Sequence, residues 1–185
     1  LSMREIEVKL RIANLEALEQ KLKDKGCVFS APISQHDTVY SRGDSTSEWE
    51  ESKEGDVVLR IRKEDNKTEF NLKQQKSSEL DNLEYETKIE DPTALHQILL
   101  TLGWHPEVEV KKIPRKGKLD KYEVCLDKIE TLGNFVELEK LTDENVDPMK
   151  VQEELLQVLE SFGIPRSDLE IRGYDTMIFQ LRPKK

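Results

Sequence analysis

Glu5-Ile6-Glu7-Val8-Lys9 alternates charged and apolar side chains, and the pattern returns as Glu84-Tyr85-Glu86-Thr87-Lys88 and, less fully, as Glu137-Leu138-Glu139-Lys140. Residues two apart on a strand point the same way, so Glu5, Glu7 and Lys9 share one face while Ile6, Val8 and Leu10 share the other. Each copy is followed by a helix-start signal: Asn14, Asp91-Pro92 and Asp147-Pro148 come 9, 7 and 10 residues after the first glutamate. The recurring unit is therefore a strand with paired carboxylates, a turn and a covering helix. Its starts at 5, 84 and 137 are unevenly spaced, which excludes a solenoid with a regular period.

Three helices follow from these caps. They run from Asn14 to Gly26, from Asp91 to Gly103 and from Asp147 to Gly163, the last with Val151, Leu155, Val158, Leu159 and Phe162 on one stripe. Alternation predicts eight strands, at 4–12, 35–41, 57–63, 67–75, 83–90, 107–113, 121–128 and 134–141. The stretch 41–56, SRGDSTSEWEESKEGD, reads as a mobile loop, and a second loop is expected at 114–120 around Pro114 and Gly117. In the tail, a capping box from Ser167 to Glu170 is interrupted by Gly173.

The other strands share the two-faced character. Leu59 and Ile61 oppose Arg60 and Arg62, Phe70 and Leu72 oppose Asn71 and Lys73, Val108 and Val110 oppose Glu109 and Lys111, and Val124 and Leu126 oppose Asp127. With helices on the apolar side, the charged face either lies flat in water or curls to line a wet interior. A single ExE or RxR pair is ordinarily a solvated surface. Six carboxylates and at least four cations on one side of seven strands repel in blocks unless something sits between them. Clustered carboxylates attract a hard divalent cation, clustered Arg and Lys attract phosphate oxygens, and a metal-bound polyphosphate satisfies both.

Composition narrows the alternatives. A chain of 185 residues favours one domain, expected to span 3–182, with Leu1-Ser2 ahead of Met3 read as a cloning remnant. Lys plus Arg is 29 against 38 Asp plus Glu, a net charge of −9, the wrong sign for coating a nucleic acid. No apolar run approaches the roughly 20 residues of a membrane helix, so no membrane partner is expected. Cys27 and Cys125 lie far apart without CxxC spacing, and no signal-peptide pattern is seen, so a reducing cytoplasm is expected. Cys125 lacks a histidine partner for a nucleophile's role, and His96 and His105 lack ligand spacing.

Taken in order, Glu5-x-Glu7-x-Lys9, the LRIR strand Leu59 to Arg62, Lys73, Glu84 with Glu86, and Leu126-Asp127 through Leu132-Gly133-Asn134-Phe135-Val136-Glu137-Leu138-Glu139 resemble the CYTH family. That family unites class IV adenylyl cyclases with thiamine triphosphatases and tripolyphosphatases. Gln35-His36-Asp37-Thr38 and the LGxFxELE segment are most similar to the class IV cyclase-like branch. The family's lysine-x-arginine reads here Lys111-Lys112-Ile113, with an arginine at Arg115, and Val39-Tyr40 stands where an aromatic pair is common.

The resemblance implies an α+β fold, an eight-stranded antiparallel β-barrel forming a charged tunnel with helices outside. It implies Mg²⁺ or Mn²⁺ held by Glu5, Glu7, Glu137 and Glu139, with Asp127, Glu84 and Glu86 next. It implies a triphosphate gripped by Lys9, Arg60, Arg62, Lys73, Lys111 and Arg115, the arginines suited to bidentate oxygen contacts. Glu5, Glu7, Lys9 and His36 are the expected catalytic set. Trp49 or Trp104 could cover a nucleotide base. The expected activity is conversion of ATP to cyclic AMP and pyrophosphate, the alternative hydrolysis of tripolyphosphate or thiamine triphosphate, and a non-catalytic polyphosphate binder the third. A homodimer resembles what the cyclase branch forms.

Overall fold

The computed structural model describes residues 3–42, 53–65 and 67–183. Among the described residues ten strands are present: β1 (Met3–Arg11), β2 (Val28–Phe29), β3 (Gln35–Arg42), β4 (Val57–Glu64), β5 (Lys67–Ser78), β6 (Asp81–Lys88), β7 (Trp104–Leu119), β8 (Tyr122–Ile129), β9 (Gly133–Thr142) and β10 (Leu169–Glu170). Four helices accompany them, α1 (Leu15–Asp24), α2 (Pro92–Thr101), α3 (Pro148–Ser161) and α4 (Tyr174–Gln180). Eight strands close a ring in the order β1, β6, β5, β4, β3, β7, β8, β9 and back to β1, every neighbour antiparallel. β2 and β10 lie off the ring, paired to β7 and β1. This is the closed, polar-lined barrel implied by the resemblance.

The caps act as the sequence predicts. Asn14, Asp91 and Asp147 accept from the backbone N–H of Ala17, Ala94 and Met149 at 2.9, 2.9 and 3.1 Å. The main apolar core lies outside the ring, where Leu18 and Leu22 of α1 and Val151, Leu155 and Leu159 of α3 meet Ile6, Val8, Leu10, Leu126, Val136 and Leu138. Under α2, Leu99 packs on Tyr40, Leu59 and Ile61. No helix among the described residues is long and apolar enough to cross a membrane.

Three expectations need correction. The loop expected at 114–120 is strand up to Leu119, because β7 runs unbroken from Trp104 to Leu119 and pairs with β8 from Lys112 to Leu119. Pro114 fits there because the ladder needs no N–H from it, its carbonyl instead accepting from Ile33 N at 3.3 Å. The capping box at Ser167 does not form; a 3-10 turn (Arg166–Asp168) leads into β10, and Gly173 stands at the cap position just before α4. Of the loop expected at 41–56, Ser41 and Arg42 continue β3, while 43–52, including Trp49, lie outside the described residues.

Gly117 has an ordinary φ, and its role is space. A methyl there would meet Cys27 Sγ at 2.7 Å and the Phe29 ring at 2.8 Å, where β2 crosses β7. Gly117→Ala should therefore cost about 1–3 kcal/mol, read as a lowered urea midpoint with unchanged m-value; an unchanged midpoint would show that Phe29 yields freely.

The β1–β6 seam is short, pairing Met3–Ile6 with Asp81–Glu84, and a buried ion pair reinforces it. Arg4 donates twice to Asp81, at 2.7 and 2.8 Å, and Ser77 N donates at 3.0 Å. Burial pushes the Asp81 carboxyl up, but these bonds more than offset it and hold the group below its ordinary value. A depressed carboxylate stabilises fully above the unfolded value and loses its effect as pH falls through the folded one. Asp81→Ala should cost about 3–5 kcal/mol at pH 7 in chemical denaturation, with the deficit shrinking as pH falls below the ordinary carboxylate value of 3.8.

Candidate active site

The ring turns alternate residues inward onto one cavity of about 830 Å³. From β1 come Glu5, Glu7 and Lys9, and from β9 Glu137 and Glu139. The β1–β9 register sets Glu7 opposite Glu139 and Lys9 opposite Glu137. A carboxylate oxygen from each of Glu5, Glu7 and Glu139 lies within 4.8 Å of the others. Like charges this close disfavour ionisation. Burial, then Glu137, push the Glu7 carboxyl up to about 7; burial with Glu5 and Glu7 holds Glu139 well above the usual range, and burial holds Glu5 up against Lys73.

The basic side is supplied by β4, β5 and β7. Arg60 reaches Glu84 at 3.2 Å and Asp37 at 3.5 Å, while Arg62 donates twice to Asp37 at 3.0 Å. Lys73 stands between Glu84 at 3.2 Å and Glu5 at 3.4 Å, and Lys112 reaches Asp127 at 2.9 Å. Burial works against each lysine's charge, yet Glu84 and Glu5 hold Lys73 raised, and Asp127 does the same for Lys112.

The same cations decide which carboxylates stay ionised. Burial raises Glu137, but Lys9 at 3.3 Å and Lys112 at 4.0 Å bring it down to about 2. Glu84 is likewise taken to about 2 by Lys73 and Arg60 against its burial. Asp37 is held low by Arg60 and Arg62 against burial.

The structure brings together Glu5, Glu7, Lys9, Arg60, Arg62, Lys73, Glu84, Glu137, Glu139 and Asp127 of the residues singled out from sequence. It does not bring in Lys111, Arg115 or His36. Lys111 and His36 sit opposite one another on the outer face of β7 and β3, where His36 Nε2 pairs with Glu109. Arg115 also turns outward, to Glu19 of α1 and over the Phe29 ring. The reason is the facing of β7: Val108 and Val110 point inward, into a cluster with Val39, Phe135, Tyr174 and Met177, so the even-numbered Lys112 faces the cavity. Two residues on, the inward position is Pro114. Glu86 also lines the cavity, at the exposed end of β6, where it accepts from Asn71 Nδ2 at 2.5 Å and stands outside the close trio of Glu5, Glu7 and Glu139.

Three side chains escaped the sequence argument. Asp37, which aims both arginines, was signalled by its alternation with Gln35 and Val39. Lys112 was signalled by register, since it pairs with Gln35, two before Asp37. Tyr174 carried no local signal; its place depends on how the C-terminal segment folds back.

Glu5, Glu7 and Glu139 offer hard oxygen donors, with Lys73 3.4 Å from Glu5 and Lys9 3.6 Å from Glu7, and this donor set fits Mg²⁺ or Mn²⁺. Cys125, Asp127 and Glu137 also converge, but burial pushes the Cys125 thiol well up, and its Sγ donates to Asp127 Oδ1 at 3.2 Å. A protonated thiol is a poor ligand for hard cations. Glu137 and Asp127 are committed to lysines, so neither joins the three-carboxylate set.

Known proteins share this architecture. A Methanocaldococcus jannaschii protein named "Putative adenylate cyclase MJ0240" is 30% identical over 174 residues, covering 93% of this chain and 97% of its own. Among solved structures, the PH1012 protein of Pyrococcus horikoshii superposes with a TM-score of 0.78 at 24% identity, over 94% of this chain and 98% of its own. The Hippeastrum protein "Putative adenylyl cyclase HpAC1", reported with a dominant triphosphatase activity, gives 0.63 at 19% identity, over 96% of this chain and 95% of its own. At these identities the two structures speak for the fold alone. The CYTH domain model matches residues 3–174, and with the barrel and the relative in agreement, this chain belongs to the CYTH family.

Proposed function

We propose that the chain is a divalent-metal-dependent enzyme acting on a triphosphate held in the tunnel, with cyclisation of ATP to cyclic AMP and pyrophosphate as its reaction. One observation carries this: a carboxylate trio on β1 and β9 shares a cavity with Arg60, Arg62, Lys73 and Lys112. A triphosphate with its cation is the ligand whose charge distribution matches that lining. Glu5, Glu7 and Glu139 would hold the metal, which when bound supplies charge neutralisation at the reacting phosphate and activation of the attacking oxygen. Arg60 and Arg62, pre-aimed by Asp37, bind phosphate oxygens bidentately and stabilise the charge on the leaving pyrophosphate. Lys73, Lys112 and Lys9 add point charges, and the closed wall limits access of water to the reacting phosphorus. Trp104 lines the cavity and offers an indole to a base. The M. jannaschii relative's name supports the cyclase reading.

The second reading is hydrolysis of tripolyphosphate or thiamine triphosphate by water, favoured by the activity reported for the Hippeastrum protein. The same side chains would grip the substrate. ³¹P NMR with Mg²⁺ or Mn²⁺ separates the two: ATP yielding pyrophosphate and cyclic AMP establishes the cyclase, whereas orthophosphate release, fastest from tripolyphosphate, establishes the hydrolase.

Glu7→Gln and Glu139→Gln should each lower turnover on the order of 100-fold while circular dichroism and melting temperature hold, and a chelator should stop the wild type; full activity in both variants would remove the metal assignment. The Glu7 shift sets a pH dependence. A carboxyl raised from 4.5 to about 7 on folding keeps its proton across that window, so the metal-free protein loses stability as pH rises through it. Metal must displace that proton, so the gain in melting temperature on adding Mn²⁺ should grow from pH 6 to pH 8. A gain independent of pH would place the metal away from Glu7.

A further inference from the structure

Tyr174, the first residue of α4, enters the cavity wall from outside the ring. Its hydroxyl donates to Asp127 Oδ2 at 2.9 Å, the oxygen that Lys112 Nζ also reaches at 2.9 Å. Its ring lies 4.2 Å from Lys9 Nζ and 5.2 Å from Lys112 Nζ, and meets Phe135 edge-on at 5.2 Å. The backbone on either side is pinned. Arg172 O accepts from Lys9 Nζ at 3.1 Å, and Gly173 N and Thr176 Oγ1 donate to Glu79 Oε2 at 2.6 and 2.9 Å.

We propose that Tyr174 is a positioning residue for the anion grip, setting where the Lys9 and Lys112 ammonium groups rest. A lysine is a point charge on a flexible stem, and a carboxylate that fixes it also neutralises it. Asp127 and Glu137 already balance part of the charge on Lys112 and Lys9; the aromatic face attracts both ammonium groups through its quadrupole while carrying no net charge, so it orients them without neutralising them further. The hydroxyl adds a second constraint by holding the Asp127 oxygen to which Lys112 is tied. The C-terminal segment is on this view part of the binding site, not only its cover. The inference rests on the proposed triphosphate ligand, and two readouts keep it separable from that proposal.

The first readout is NMR of the lysine CεH₂ groups in the metal-free protein. Ring current should shift the Lys9 signal upfield in the wild type and in Tyr174→Phe, and the shift should vanish in Tyr174→Leu. The second is calorimetric titration with tripolyphosphate. Tyr174→Leu should raise Kd about tenfold, and Tyr174→Phe, which keeps the ring, about threefold. Wild type that binds while Tyr174→Leu binds equally tightly overturns this inference alone; wild type that binds no tripolyphosphate overturns both. Should Tyr174→Leu not fold, Tyr174→Phe decides, and an unchanged Kd there overturns the inference.

Discussion

Pairing β1 with β9 sets Glu7 and Glu139 directly across from one another, and the rest of the interior is arranged around that opposition. Two carboxylates in cross-strand contact, inside a wall and away from bulk water, form an unfavourable pair. The seam is nevertheless fixed by what lies behind it: Ile6, Val8 and Leu10 of β1 and Val136 and Leu138 of β9 are buried on the outer side, and slipping by one residue would turn all of them inward. Apolar packing outside the ring thus holds the acidic groups together inside it. Along the same wall, Glu137 is drawn down to about 2 by Lys9 and Lys112 and Glu84 by Lys73 and Arg60, whereas burial and the neighbouring Glu137 push Glu7 up to about 7 against its close cation, Lys9 at 3.6 Å.

The barrel accordingly inverts the usual economy of a small β-barrel, in which side chains fill the middle with apolar layers. Here the middle is charged and the hydrophobic clusters lie between strands and helices. The helices are needed for this reason, since a strand that presents charge inward must bury its other face elsewhere. The Val39, Val108, Val110 and Phe135 cluster is the exception. It fills one part of the interior, where α4 closes over it with Tyr174 and Met177.

Most of this was legible wherever alternation was unbroken. The paired glutamates, the LRIR strand and the three capped helices each carry their facing in their own spacing, and residue types alone then assign them to cavity or core. Legibility failed on β7. Val108 and Val110 look like outward core residues by composition, but they face inward because an apolar patch closes the tunnel beneath α4, so Lys111 and Lys112 exchange roles. Pro114 and Gly117 look like turn formers. One occupies a ladder position that needs no N–H, and the other makes room for the Phe29 ring, neither visible without the neighbouring chain. Tyr174 is set by a contact with Asp127, 47 residues away in sequence.

The ring has a further consequence for how the chain reaches this state. The β1–β9 ladder joins segments about 130 residues apart, whereas β4, β5 and β6 follow one another as local hairpins. Loop-closure entropy makes such a distant pairing slow, and although β1 can pair with β6 along its short seam, its second neighbour, β9, is available only once most of the polypeptide exists. Assembly of the acidic trio and closure of the cylinder are then one kinetic event. Until it happens β1 carries an open hydrogen-bonding edge, and the alternating charges of Glu5, Glu7 and Lys9 discourage a second molecule from adding there.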